Sequence, residues 1–178
     1  MTETAPSHGM QRATVLGMAL VLLAGFVVVA TGGPASGHAS AMLNGRNAFA
    51  GERGVLTMRI PHGCNGNLAT DQVRVRFSKQ WKAAPKSLQG WKKQKLRGRN
   101  GRTIITWSAT GTPLAADAVG DFRMRVRYPG EPGLYATPTI QVCGDVKSRW
   151  TEPDRGGATA DHPYPSDYPV PKIKVLSR

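Results

Sequence analysis

The chain has 178 residues and a formal net charge of +13, and its 21 Gly and 13 Pro leave little room for long helices. That length fits one domain with a proper core, and that composition points to short strands joined by turns rather than to a helical bundle. The positive balance raises nucleic acid as a partner, but no reading element is present, so DNA and RNA binding are set aside.

Residues 1–12 are polar and end at Arg12, and Val15–Ala30 is an apolar run followed by Thr31-Gly32-Gly33-Pro34 and then small residues. This is the layout of a secretory signal peptide, and the run is short for a membrane span. The expected organisation is a cleaved signal peptide at 1–37 and one mature domain at 38–178, exported to a periplasm or to the outside, with no membrane-crossing segment left. Glu3 and Arg12 cancel, so the mature part keeps the full charge. Two cuts satisfy the small-x-small rule. One follows Ala35-Ser36-Gly37 and exposes His38; the other follows Ala39-Ser40-Ala41 and exposes Met42.

Strand patterns begin after Gly51. Val55–Ile60 is apolar and β-prone, and Pro61-His62-Gly63 closes it with a turn. Gln72–Phe77 alternates strictly, with Val73, Val75 and Phe77 on one face and Arg74 and Arg76 on the other. Pro85 and Leu88-Gln89-Gly90 break the chain before Trp91, and Thr103–Ala109 reads as a strand after a glycine-flanked turn. Asp121–Tyr128 alternates again, Pro129–Gly133 is a turn, and Leu134–Cys143 and Val146–Thr151 read as further strands. The tail from Glu152 to Tyr168 is irregular by composition, and Pro171–Leu176 reads as a closing edge strand. Period-2 patterning at this spacing predicts an all-β antiparallel sandwich. The basic runs, Lys92–Lys95 among them, read as a solvated face.

Cys64 and Cys143 are the two cysteines, and in an exported chain a disulfide is the expected state. Closing so long a loop stabilises a fold by about 4 kcal/mol in the chain-entropy picture. The rival use, a thiolate metal site built on His62 and Cys64, lacks two further ligands. Once a signal segment is gone, His38, His62 and His162 are the remaining histidines, and no HExxH or nucleophile elbow occurs. His62 reads as a polar turn residue and His162 as tail. Met58 and Met124 fall in strand patterns and read as core.

Taken together, Gly37-His38-Ala39, Ala50-Gly51, Arg59-Ile60-Pro61-His62-Gly63-Cys64, Gln89-Gly90-Trp91, Ile105–Ser108, Asp121-Phe122, Val142-Cys143 and Arg149-Trp150 stand in the order found in the YcnI-like copper-binding domain family. The chain resembles that family over nearly all of 38–178. The resemblance implies an immunoglobulin-like β-sandwich and an exported, non-enzymatic role in copper trafficking, metallochaperone-like, beside other copper-transport proteins. It also breaks the tie between the two cuts in favour of His38. The site it implies holds Cu(II) through the amine and imidazole of His38, with Trp150 against the metal. Characterised members add a carboxylate. Where many relatives carry Glu before the Ala-Gly pair this chain has Asn47, and Glu52 lies close by, so those two positions are carried as the remaining candidates.

The chemistry is sound. Cu(II) tops the divalent affinity order and takes nitrogen donors, and an N-terminal amine with a reference pKa near 8 holds its proton weakly. Two alternatives remain: an envelope-binding or structural module that uses no metal, and a copper oxygenase, which would need a second histidine from His62 or His162.

Overall fold

The computed structural model describes residues 37–65, 67–153 and 167–178. The chain divides between Gly33 and Pro34, and everything described belongs to the second unit. The apolar run Val15–Ala30 and His162 lie outside the described residues. Among the described residues no helix is long and apolar enough to cross a membrane.

Three sheets account for the architecture. The first has four strands in the order β1 (Ser40–Met42), β3 (Arg53–Ile60), β8 (Gly120–Arg127) and β5 (Lys82–Pro85). The second has five, in the order β11 (Val146–Trp150), β10 (Thr139–Cys143), β4 (Gln72–Phe77), β7 (Thr103–Ala109) and β6 (Trp91–Arg97). The third places β12 (Lys172–Leu176) between β2 (Ala48–Phe49) and β9 (Gly133–Ala136). Among the described strands every pairing is antiparallel except β12 with β2. The architecture is the all-β antiparallel sandwich that the alternation predicts.

The alternating strands bury the faces that their patterns mark. On β4, Val73, Val75 and Phe77 are buried while Arg74 and Arg76 are exposed. On β8, Phe122, Met124 and Val126 turn inward and Arg123, Arg125 and Arg127 outward. Leu56, Met58 and Ile60 from β3 meet them, with Ile105 and Trp107 from β7. The sulfurs of Met58 and Met124 are thus committed to the core. Phe122 packs edge-on against Trp91 at 5.0 Å and beside Trp107 at 5.6 Å, a geometry that adds to the area the rings bury.

Several elements depart from the strand pattern read off the sequence: β1 and β2 precede Gly51, and β5 runs through to Pro85, where a break was expected. The run Leu134–Cys143 is two strands, not one: Thr137-Pro138 interrupts it, and the chain leaves the third sheet at β9 to enter the second at β10. Proline cannot donate to a ladder, and Thr137 turns both its N–H and its hydroxyl to Pro171 O, at 2.7 and 3.0 Å. The Lys92–Lys95 run is part of strand β6, an edge whose side chains are nearly all exposed. β12 is the middle of its sheet rather than an edge, with Ile173 and Val175 buried.

Candidate functional site

His38 lies two residues before β1. The register of that strand against β3 sets Ser40 opposite Arg59, so the residues preceding β1 run back towards the turn that follows β3. Arg59 is itself fixed, donating from Nε and Nη2 to the two carboxylate oxygens of Asp121, both at 2.8 Å. That bidentate contact, a charge-assisted pair across neighbouring strands, holds the Asp121 carboxyl below its ordinary value.

The turn after β3 is Pro61-His62-Gly63-Cys64. Proline stops the strand, and Gly63 is required by space: a Cβ there would overlap the carbonyl of Leu68 and come within 2.9 Å of Ala116 Cα. Cys64 is disulfide-bonded to Cys143 at the end of β10, with the Cα atoms 5.9 Å apart. The bond ties the turn after the first sheet to the second sheet. The two cysteines are therefore not available as thiolate ligands.

The second sheet supplies the opposite wall. Trp150 ends β11, is 2% exposed, and meets the His38 ring edge-on with centroids 6.0 Å apart. Tyr168, from the returning tail, meets the same indole at a tilt, with ring centroids 5.1 Å apart. A short backbone ladder keeps that tail in place, Glu152 N–H donating to Tyr168 O at 3.1 Å and Val170 N–H to Glu152 O at 2.9 Å. The result is a small open pocket of about 250 Å³ whose lining includes His38, His62, Ser148, Trp150, Asp167 and Tyr168.

Behind the wall sits a residue that no motif announces. Gln141, on β10, is fully buried and joins three parts of the site. Its Nε2 donates to His62 O and to Thr70 Oγ1, both at 2.7 Å, and its Oε1 accepts from Trp150 Nε1 at 3.3 Å. One amide therefore sets both the indole and the His62 turn. In sequence Gln141 is a polar residue in a β-prone run, and only its inward register on β10 reveals its use.

Of the residues singled out from the sequence, His38 and Trp150 come together. Asn47 and Glu52 do not join them; they line a different pocket, with Arg46, Val55 and Tyr128. Glu52 is engaged there by the Arg178 guanidinium. Among the described residues, the carboxylate that lines the His38 pocket is Asp167. No three His, Cys, Asp or Glu side chains among the described residues form a metal cluster.

The family described as "Domain of unknown function (DUF1775)" matches residues 38–174. The chain belongs to the DUF1775 family. This is the family of the YcnI-like proteins, and the matched region opens at His38. Among curated proteins none matches the chain. Among solved structures, an uncharacterized protein from Nocardia farcinica with an immunoglobulin-like fold is similar at a TM-score of 0.65 and 19% identity. That likeness covers 78% of this chain and 98% of that one. A cohesin module from a Clostridium perfringens family 33 glycoside hydrolase is more distant, at a TM-score of 0.48, 11% identity, and 79% and 98% coverage. The Nocardia likeness makes this DUF1775 domain immunoglobulin-like in fold.

Proposed function

We propose that the chain is exported, cut after Gly37, and then carries Cu(II) on the amine and imidazole of His38, passing it to other copper-handling proteins. The observation that carries this reading is the meeting of His38 and Trp150, distant in sequence, in one open pocket. The family match that begins at His38 supports it.

The lining suits the cargo. Imidazole nitrogen, a carboxylate and hydroxyls face a space that admits a hydrated ion, and borderline nitrogen donors select late first-row divalent metals. Both nitrogens of the brace come from one residue, so little side-chain freedom is lost on binding. The indole of Trp150 closes one side without donating a lone pair, while the other side stays open to solvent. A shallow site with exchangeable positions suits an ion that must be released to a partner. Asp167 lines this pocket and is our candidate for the carboxylate of the donor set, whereas Asn47 and Glu52 line another.

The test is a titration of the protein beginning at His38 with Cu(II), followed by the visible d–d band and by EPR. One site is expected, and it should vanish in His38→Ala. The same variant binding copper with unchanged spectrum would end this reading. Retained, salt-sensitive binding to an anionic envelope polymer by a protein with no copper site would favour the non-metal module, to which the outward arginines of β4 and β8 lend charge.

A further inference from the structure

His62 makes two hydrogen bonds that a neutral imidazole cannot make at once. Its Nδ1 lies 2.7 Å from Gly63 O and its Nε2 lies 2.8 Å from Gly37 O. Both partners are carbonyl oxygens and only accept, whereas neutral histidine has a single ring N–H. The two contacts differ in permanence. Gly63 is held by its N–H to Ala116 O at 2.7 Å, by the lack of room for a Cβ, and by the neighbouring disulfide. Gly37 O belongs to the peptide bond that a cut before His38 hydrolyses.

We infer that His62 Nε2 is a third nitrogen donor of the copper site, brought into use by removal of the Gly37 carbonyl; the inference rests on the brace reading above. Hydrolysis adds water across the Gly37–His38 bond, leaves a carboxylate on the departing segment, and leaves the amine on His38. Nδ1–H keeps its bond to Gly63 O, which fixes the tautomer with its lone pair on Nε2. Histidines that bind metals are commonly oriented by just such an N–H to a backbone carbonyl.

Distance permits it. Within one peptide unit the oxygen and nitrogen are about 2.3 Å apart, so the His38 nitrogen is no more than about 5 Å from His62 Nε2. Two nitrogens bound to one ion at about 2 Å each lie up to about 4 Å apart, a difference that the released terminus can take up. The His62 end is the fixed one, because His62 O accepts from buried Gln141. Uncut chain fills this place with a carbonyl oxygen; cut chain fills it with a metal bound by the new amine and by His62. Processing and copper loading are thereby coupled.

The decisive experiment is pulsed EPR on the protein starting at His38, loaded with one equivalent of Cu(II). Modulation from the remote nitrogens counts the equatorial imidazoles, and two are expected, one from His38 and one from His62. His62→Gln should show one, with copper affinity weakened by more than roughly tenfold. A wild-type spectrum with one imidazole overturns the inference without recourse to any variant. Copper binding that is lost in His38→Ala yet has the same spectrum and affinity in His62→Gln removes His62 and leaves the brace intact. Binding that survives in His38→Ala removes the brace itself.

Discussion

Replacing Gln141 by Leu tests whether one buried amide organises the pocket. The side chains are similar in volume, so little cavity arises, and the cost comes from groups left without partners. Trp150 Nε1 and His62 O each lose the bond Gln141 provided, and Thr70 Oγ1 loses a donor at 2.7 Å. Thr70 keeps a weak contact with Cys143 Sγ at 3.7 Å, so two groups bear most of the loss. A buried polar group stripped of its partner costs about 1–3 kcal/mol, and the two here together should destabilise the fold by about 3–4 kcal/mol. Urea denaturation measures this as a lower midpoint at unchanged slope. Copper affinity should fall in the same variant, because the indole and the His62 turn are no longer held by a common residue. A loss below about 1 kcal/mol would refute the reasoning, since it would mean that water or a rotated neighbour satisfies these groups at no cost.

Other consequences are open to measurement. Gly63→Ala should destabilise by about 3 kcal/mol or more, because its Cβ meets backbone atoms that cannot yield. Gly111→Ala, with nothing near the new atom, should stay within about 0.5 kcal/mol in the same thermal-melt comparison. Asp121 has a folded-state pKa below its ordinary 3.8, chiefly through its hydrogen bond to Arg59. The stability this confers is full above that ordinary value and is lost as pH falls through the folded one. Because Arg59 is 41% exposed, the amount is about 1 kcal/mol or less, read as a shallower acid limb in Asp121→Asn. Reducing Cys64–Cys143, which closes a separation of 79 residues, should cost about 4 kcal/mol by denaturant titration.

The strands whose two faces meet different solvents were readable in advance. Arg74 and Arg76 alternate with Val73, Val75 and Phe77 because one side of β4 is wet and the other dry, and β8 repeats that logic. Strand β6 escaped because an exposed edge places no apolar demand on either face, so Lys92, Lys93 and Lys95 look like a charge run. The passage of Leu134–Cys143 from one sheet to another was hidden for a different reason. Its cause, the capture of Thr137 by Pro171, is a contact between residues far apart in sequence.

The site divides in the same way. His38 and Trp150 were reachable through ordered motifs, and the disulfide through cysteine number and compartment. Gln141, Asp167 and the approach of His62 to Gly37 depend on sheet register and on the return of the tail, which no local pattern encodes. Asn47 and Glu52 were candidates by position in sequence alone. The chain between β1 and β3 instead carries them to another pocket, where Glu52 meets Arg178.

The central claim is that the amine of His38 is a copper ligand. Calorimetric titration of Cu(II) into two forms of the protein beginning at His38, one with its terminal amine free and one with that amine acetylated, tests it most directly. Acetylation turns the amine into an amide with no neighbouring amine to anchor the metal, and it sets a carbonyl before His38 again. The free form should bind one Cu(II) and the acetylated form should bind at least about a hundredfold more weakly. Equal affinity and stoichiometry in the two would contradict the account.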